Sequence, residues 1–204
     1  MNTSDPYDRE GGESHQQRCS PDYRPDSGNT QKICVHIRWM IRRDMPEVLD
    51  IENQSFECPW SEEDFIRCLR QRNCIGMVSE FEERVVAFMI YELHKTRLHI
   101  LNFAVHSEFR RKSVGEAMAE KLIGKLSWQK RDRILLEVRE TNLAAQIFFR
   151  AQGFRAVSIM RDFYDDTTED AYLMQYQHAA SKESENGSVL LCKKSGPMTG
   201  LSAG

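Results

Sequence analysis

The sequence lacks any run of about 20 apolar residues, the length that a membrane-spanning helix needs. Its first residues, Met1–Gly12, are polar and acidic, so we expect neither a secretory signal nor a membrane anchor. Neither sign of charge dominates, because 28 basic side chains are interspersed with 31 acidic ones. We therefore expect no binding to nucleic acid or to an anionic membrane through bulk charge. These absences predict a cytoplasmic protein.

Closely spaced cysteine pairs are also lacking. The six cysteines stand at positions 19, 34, 58, 68, 74 and 192, and no two of them form a CxxC motif. No set of Cys and His residues has the spacing of a zinc site either. The sequence therefore predicts reduced thiols, mostly buried among apolar side chains, and no bound metal.

Both ends of the chain are poor in aliphatic side chains. Residues 1–34 hold three of the six prolines among Ser, Asp, Asn and Gln, and residues 178–204 are rich in Ser, Lys and Gly. Such segments cannot bury enough apolar surface to offset the entropy lost on ordering. We predict disordered tails over residues 1–34 and 178–204, and one folded domain over residues 35–177.

Within the predicted domain, the spacing of apolar residues alternates between the period of a strand and the period of a helix. Strands are predicted at residues 35–41, 75–81, 84–93, 98–105, 134–138, 154–160 and 171–176. Helices are predicted at residues 44–53, 61–70, 113–128 and 142–151. The second, third and fourth strands are joined by short turns, which is typical of an antiparallel meander. The whole order predicts a three-layer α/β (α+β) sandwich around one mixed sheet.

A basic turn leads from the fourth predicted strand into the third predicted helix. It reads Arg110-Arg111-Lys112-Ser113-Val114-Gly115. A helix start gathers unpaired backbone N–H groups and the positive end of the helix dipole, and the Arg and Lys side chains add full charge. The turn therefore either binds a pyrophosphate or is a basic turn without a ligand. It matches neither the P-loop pattern nor GxGxxG.

A single acid, Glu137, interrupts the apolar strand at residues 134–138. Alternation makes one side of many strands polar, so this carboxylate faces either solvent or a cleft. In a cleft it is a candidate general base.

Five separated motifs carry a resemblance to a known family. In chain order they are Phe56 with Pro59-Trp60-Ser61, Arg110–Gly115, Leu136–Asn142, Gly153-Phe154, and residues 161–164 with 169–174. Together they resemble the GNAT N-acetyltransferases, and among these the bacterial ribosomal-protein S18 alanine N-acetyltransferases. The resemblance covers essentially all of residues 35–177. It implies a GNAT-like sheet, mixed but mostly antiparallel, flanked by helices.

The resemblance implies acetyl-CoA as the co-substrate. The end of the fourth strand would hold the pantetheine arm as an added strand does, through the backbone of Phe103, Ala104 and Val105. A backbone N–H there would also steady the oxyanion. The loop that would hold the pyrophosphate comprises Arg111, Lys112, Ser113, Val114, Gly115 and Glu116. Asn142 and Phe149 are the other residues implied at the cofactor.

The resemblance also implies which residues act on the acceptor. Glu137 stands where the family places its general base. An α-amine of pKa roughly 8 is mostly protonated at neutral pH, so a base acting directly or through water is chemically sensible. The residues that would border the entrance for a peptide are Phe56, Pro59 and Trp60, with the Tyr164 region.

Two positions depart from the family pattern. Ser113 replaces the first glycine of the loop and adds a Cβ where the backbone approaches phosphate, so we expect weaker but retained binding of acetyl-CoA. Phe149 falls where the family has a tyrosine general acid, and phenylalanine cannot donate a proton. A leaving thiol of pKa about 8.5, the value for cysteine, can depart as thiolate, or else Tyr164 or a water molecule substitutes as the acid. Phe149 can also simply pack the core.

One histidine adds an alternative base. His106 follows the fourth predicted strand, and a histidine titrates near pH 6.5. It is either a base or a surface residue of the turn beside the basic loop.

Two classes of function are consistent with these residues. The first is an enzyme that transfers an acetyl group from acetyl-CoA to the N-terminal α-amine of a protein by direct attack in a ternary complex. The resemblance points to ribosomal protein S18, with an N-terminal alanine, and a lysine side chain or a small amine is the alternative acceptor. The second is an acyl-CoA-binding module that has lost catalysis, suggested by Ser113 and Phe149. Neither class requires a metal.

Overall fold

The computed structural model of the protein describes residues 32–127, 130–164 and 168–178. Its strands are β1 (His36–Trp39), β2 (Cys74–Phe81), β3 (Arg84–Leu93), β4 (Arg97–Val105), β5 (Arg133–Arg139), β6 (Arg155–Tyr164) and β7 (Glu169–Gln177). Its α-helices are α1 (Met45–Ser55), α2 (Glu62–Leu69), α3 (Val114–Ile123) and α4 (Leu143–Ala151). Short 3-10 helices lie at Arg42–Asp44 and Ser107–Phe109. In the described residues no helix is long and apolar enough to cross a membrane.

The strands form one sheet of seven in the order β1-β2-β3-β4-β5-β7-β6. Neighbouring strands run antiparallel except β4 and β5, which run parallel. Helices α1 and α2 cover one face of the sheet, and α3 and α4 cover the other. The predicted three-layer sandwich around a mixed, mostly antiparallel sheet is confirmed.

Two apolar cores lie on opposite faces of the sheet. The core under α3 and α4 includes Met118 of α3, whereas the core under α1 and α2 includes Phe65 of α2. Because successive side chains of a strand point to opposite faces, the neighbours Met89 and Ile90 of β3 belong to different cores. The central strands are therefore apolar on both faces, and a polar side chain there stands out.

The helix starts and stops follow local side-chain chemistry. The Ser61 hydroxyl accepts a hydrogen bond from the Asp64 N–H at 3.2 Å, and the Asp64 carboxylate accepts one from the Ser61 N–H at 3.0 Å. This reciprocal pair confirms the capping sequence predicted for α2. Gly153 follows α4 with φ of 89°, a conformation that glycine adopts without strain, as its predicted position after the helix requires.

Helix α3 is shorter than predicted. The sequence predicts a helix to Trp128, because Leu126 continues the apolar stripe, but the helix ends at Ile123. The N–H groups of Lys125 and Leu126 instead donate to the carbonyls of Leu122 and Ile123, three residues earlier. This tighter turn still lets Leu126 pack against the core under α3 and α4.

The predicted tails, residues 1–34 and 178–204, lie almost entirely outside the described residues. Ile33, at the inner end of the first, packs against the core under α3 and α4, and its N–H donates to the Lys112 carbonyl at 3.3 Å. His178, at the inner end of the second, donates its N–H to the Asp132 carbonyl at 2.7 Å. Contacts with the domain thus extend to both of these residues.

The thiols differ in burial. Cys68 of α2 and Cys74 of β2 are buried with their Sγ atoms 2.7 Å apart, and burial raises the pKa of both thiols. Cys34 and Cys58 are exposed, so two of the four described thiols match the expectation of burial, and Cys19 and Cys192 lie outside the described residues. Cys34 lies between Ile33 and Val35, which pack against the core, so alternation turns its thiol outward. Cys58 lies in the exposed segment after α1.

An ionic cluster fixes β1 against the start of α1. The Arg38 guanidinium donates to both carboxylate oxygens of Asp44, at 2.7 and 2.9 Å, and to Glu80 of β2 at 2.7 Å. Burial alone would raise the pKa of Asp44, but the hydrogen bonds from Arg38 and from the Ile41 N–H outweigh it and lower the pKa. The folded structure therefore stabilises Asp44 in its charged form.

Replacing Asp44 with asparagine should lower the free energy of unfolding at pH 7 by about 1.5–3 kcal/mol, the range for hydrogen bonds to charged groups. The pKa of Asp44 is lower in the folded protein than in the unfolded chain, where it is about 3.9. The contribution of Asp44 to the free energy of unfolding is therefore present above the unfolded pKa and is lost as the pH falls through the folded pKa. Urea titrations of the wild type and D44N across this range should show their difference shrinking in acid.

The matched control is Asp50→Asn, at an exposed position of α1. It should change the free energy of unfolding by less than about 0.5 kcal/mol. Equal free energies of unfolding for D44N and D50N would contradict a stabilising role of the Asp44 carboxylate.

Candidate active site

Strands β4 and β5 separate partway along their length. Their parallel pairing ends at His99 and Leu135, whereas β3 continues to pair with β4 as far as Val105. From Ile100 to Val105, the β5 side of β4 therefore has no strand partner among the described residues. An open strand edge of this kind can accept an extended ligand as an added strand. The predicted residues Phe103, Ala104 and Val105 lie on this edge.

The predicted basic loop lies between the end of β4 and α3. Arg111 and Ser113 have left-handed backbones, with φ of 62° and 63°. Left-handed residues in a turn help to gather successive N–H groups into a concave anion site. The first turn of α3 adds the N–H groups of Val114, Gly115 and Glu116, which have no partner within the helix.

The basic side chains of the loop have different surroundings. Arg110 donates to the Val105 carbonyl at 2.9 Å and to the Ser55 hydroxyl at 3.1 Å, so it ties the loop to β4 and α1. The Lys112 ammonium lies 5.1 Å from the centre of the Phe109 ring. Arg111 is exposed. The predicted phosphate-binding side chains, Arg111 and Lys112, therefore lie at the surface of the loop.

Gly115 lets the start of α3 approach the aromatic side chains below it. A Cβ at this position would lie 3.3 Å from the Phe148 ring and 3.5 Å from Phe103. Phe149 is only 5% exposed, with its ring centre 6.1 Å from Phe103 and 5.2 Å from Phe154. Phe149 therefore packs the core beneath the open edge, in agreement with the packing alternative for this residue.

Glu137 is paired with a histidine on the face that carries α1 and α2. Its neighbours Leu136 and Val138 are buried in the opposite core, so alternation directs Glu137 to this face. The His99 Nε2 atom lies 2.7 Å from the Glu137 Oε2 atom. The two side chains are 21% and 18% exposed, so the pair is reachable from solvent.

Tyr164 borders the same face of the sheet. The Arg139 guanidinium lies 3.8 Å from the centre of the Tyr164 ring and forms an ion pair with Glu169 at 2.8 Å. Arg139 is two residues after Glu137 on β5, so both side chains point to one face. Arg139 thus links the predicted substitute acid to the neighbourhood of the predicted base.

A buried carboxylate supports the predicted peptide entrance. Glu52 of α1 is 1% exposed and accepts hydrogen bonds from the Trp60 N–H at 2.8 Å and the Asn102 side-chain amide at 3.0 Å. Burial raises the pKa of Glu52, and these two hydrogen bonds counter that rise only in part. Phe56 and Pro59 are exposed beside Trp60. The entrance loop is therefore anchored at Trp60 and open at the other two residues.

Asn142 and His106 both make local hydrogen bonds. The Asn142 side-chain oxygen accepts from the Ala145 N–H at 3.0 Å and so caps α4. The His106 Nδ1 atom accepts from the Glu108 N–H at 3.3 Å, within the turn after β4. His106 thus belongs to the turn, as the second alternative expects, but its side chain is only 12% exposed. The cap leaves the Asn142 amide N–H₂ outside this hydrogen bond.

The sequence analysis missed His99, Glu52 and Asn102. Residues 99 and 137 are 38 positions apart, and only the pairing of β4 with β5 brings them together. A signal was present, since His99 and Asn102 are the polar residues of β4 after its first residue, Arg97. Asn102 also follows a break in the register between β3 and β4, which turns its side chain toward α1.

The acetyltransferase (GNAT) family matches residues 45–154, which extend from the start of α1 to the residue before β6. The match covers more than half of the chain. The protein therefore belongs to the GNAT acetyltransferase family.

Relatives of known name agree with this assignment. Ribosomal protein bS18-alanine N-acetyltransferases of Salmonella typhimurium LT2 and Escherichia coli K12 are each 30% identical over 133 residues, 64% of this chain and 89% of each relative. The crystal structure of the Escherichia coli ribosomal-protein-S18-alanine N-acetyltransferase has a TM-score of 0.64 at 27% identity, covering 71% of this chain and 94% of that one. Ard1 from Thermoplasma volcanium has a TM-score of 0.65 at 26% identity, covering 72% and 99%.

The raised pKa of Glu52 predicts a pH-dependent stability that Glu52→Gln removes. The folded protein holds the Glu52 proton more tightly than the unfolded chain does, whose pKa at this residue is about 4.3. The contribution of Glu52 to the free energy of unfolding is therefore present below the unfolded pKa and is lost as the pH rises through the folded pKa. Urea titrations from pH 4 to 7 should show the wild type losing stability relative to E52Q as the pH rises. A difference that stays constant or grows in favour of the wild type would contradict the burial argument.

Proposed function

We propose that this GNAT acetyltransferase transfers an acetyl group from acetyl-CoA to the N-terminal α-amine of a protein, with Glu137 as the general base. The observation that carries the proposal is the pairing of Glu137 with His99 at the point where β4 and β5 separate. A base at this point lies next to the open edge of β4. An acyl group held on that edge and an amine arriving from the α1 and α2 side would meet at Glu137.

Acetyl-CoA fits the residues present. The open edge from Ile100 to Val105 offers backbone groups to an extended pantetheine arm. The left-handed loop and the start of α3 offer N–H groups to a pyrophosphate, and Gly115 keeps that helix start close to β4. Ser113 adopts the left-handed backbone of the loop, although this conformation costs energy for a residue other than glycine. This supports binding of acetyl-CoA that is retained but weaker.

His99 acts as a positioning residue for the base. With a proton on Nε2, it donates a hydrogen bond to the Glu137 Oε2 atom and fixes the rotamer of the carboxylate. Glu137 then accepts the proton that the acceptor amine releases, either directly or through water. Acetyl-CoA supplies the activated acetyl group.

The departing thiolate does not require the tyrosine that Phe149 replaces. A thiol of pKa about 8.5 can leave without prior protonation. Where an acid does assist, Tyr164 is the proposed donor, because Arg139 holds its ring beside the face that carries Glu137.

A protein N-terminus is the proposed acceptor. The relatives at 30% identity are named for the alanine of ribosomal protein bS18. Phe56 and Pro59 are exposed in a loop that Glu52 anchors at Trp60, which suits the entry of an extended peptide. An acceptor made on the ribosome would place the reaction in the cytoplasm, without contact with nucleic acid or membrane.

The direct experiment mixes the full chain with acetyl-CoA and a peptide that begins with alanine and contains one lysine. We expect thiol release in step with a mass gain on the α-amine. The matched control is the same peptide with a blocked N-terminus, which should gain no mass. Acetylation of the blocked peptide at lysine would contradict α-amine specificity.

A second candidate function is an acyl-CoA-binding module without turnover. The burial of Phe149 in the core favours it, since no hydroxyl stands at that position. In that case acetyl-CoA would bind saturably, and no peptide, lysine or small amine would be acetylated.

Glu137→Gln should cut the acetylation rate by roughly 10²-fold or more while leaving acetyl-CoA binding nearly intact, because glutamine keeps the shape but cannot accept the proton. The control is Glu140→Gln at the exposed position just after β5, which should retain the wild-type rate. Rates should be measured at saturating acetyl-CoA and binding by calorimetry. Equal rates for E137Q and the wild type would remove Glu137 from the mechanism.

A further inference from the structure

The hairpin between β3 and β4 brings together Glu92, His94 and His99, three side chains of types that can bind a metal. His99 is also the partner of Glu137. Glu92 of β3 stands directly opposite His99 of β4, and His94 follows the end of β3. Their strand neighbours Tyr91 and Leu98 are buried in the core under α3 and α4. Alternation therefore places Glu92 and His99 on the α1 and α2 face.

The spacing of the donor atoms suits a small divalent cation. One donor atom from each of Glu92, His94 and His99 lies within 4.8 Å of the other two. Zinc bonds of about 2.0–2.2 Å place tetrahedral ligand atoms roughly 3.3–3.5 Å apart. The three side chains would therefore have to move by about an ångström to bind the ion. The His94 Nε2 atom is already 3.0 Å from the Glu92 Oε2 atom.

One nitrogen of His94 faces the carboxylate of Glu92. The His94 Nε2 atom is buried and lies 3.0 Å from the Glu92 Oε2 atom, but the two are not aligned for a hydrogen bond. The backbone of His94 is held on both sides, since its N–H donates to the Arg97 carbonyl at 3.0 Å and its carbonyl accepts from Arg131 at 2.7 Å. His94 is therefore anchored beside the cluster through its backbone.

We propose that Glu92, His94 and His99 bind a zinc ion, with a water molecule in the fourth position. Two histidines and a glutamate are a ligand set that zinc takes in proteins. The Glu137 Oε2 atom lies 2.7 Å from the His99 Nε2 atom, so the proposed ligand His99 is also the partner of Glu137.

Zinc at this site blocks the proposed acetyl transfer. A zinc ion bound by His99 places positive charge beside the Glu137 carboxylate. This charge stabilises the ionised form of Glu137 and so lowers its affinity for the proton that the amine releases. This inhibitory effect rests on the proposed function, whereas zinc binding does not. The site would make the enzyme sensitive to free zinc.

The binding test titrates zinc into the metal-free full chain in competition with a coloured chelator. We expect one zinc ion per chain at this site, and His94→Gln should weaken its binding by at least roughly 100-fold, the upper range for losing even an outer partner of a ligand. His36→Gln, at an exposed histidine of β1, is the matched control and should bind as the wild type does. Thermal unfolding checks that both variants fold.

Cobalt(II) separates this site from the thiols of the chain. A site of nitrogen and oxygen ligands lacks the intense near-ultraviolet band of cobalt bound to thiolate. Absence of zinc binding, binding that H94Q retains, or a thiolate band for the bound ion would each overturn the proposal.

The inhibition test measures acetylation of the alanine peptide with and without zinc. Zinc should slow the wild type, a chelator should restore the rate, and H94Q should keep the zinc-free rate and resist zinc. Binding without inhibition would overturn the inhibitory effect and leave the site intact. If no amine is acetylated even without zinc, the proposed function fails, and the binding test still decides the site.

Discussion

The separation of β4 from β5 is the constraint on which the rest of the site depends. The two strands pair only over Arg97–His99 and Arg133–Leu135, and β4 then continues with β3 alone. This leaves a backbone edge open inside a sheet, where it would ordinarily be paired. The contacts of Gly115, Phe103 and the aromatic core hold α3 against the end of that edge. Packing on the α3 and α4 face thus supports the open edge.

Polar side chains gather on one face around this gap. Glu137 and His99 lie where the strands part, and Glu52 with Asn102 lies farther along β4, beneath the entrance loop. The opposite face is apolar and filled by α3 and α4. An acyl donor on the β4 edge would therefore approach along the sheet, whereas an acceptor would approach from the α1 and α2 side. The division between the two faces keeps the two approaches separate.

The order of the elements could be predicted because it depends on local periodicity, and the caps at Ser61 and Gly153 could be predicted from single residues. The length of β6 could not, because its residues are mostly exposed and its burial does not alternate. The candidate base at Glu137 was visible as an acid within an apolar strand. Its partner His99 was not, because their contact depends on the register of two strands. The hairpin cluster at Glu92 and His94 was missed for the same reason.

We propose that the open edge of β4 and the start of α3 hold acetyl-CoA beside Glu137. The most direct test is residue-resolved amide hydrogen exchange of the full chain with and without acetyl-CoA. We expect slower exchange at residues 100–105 and 113–116 when acetyl-CoA is bound. Saturable binding of acetyl-CoA with unchanged exchange in both segments, and slower exchange elsewhere, would contradict it.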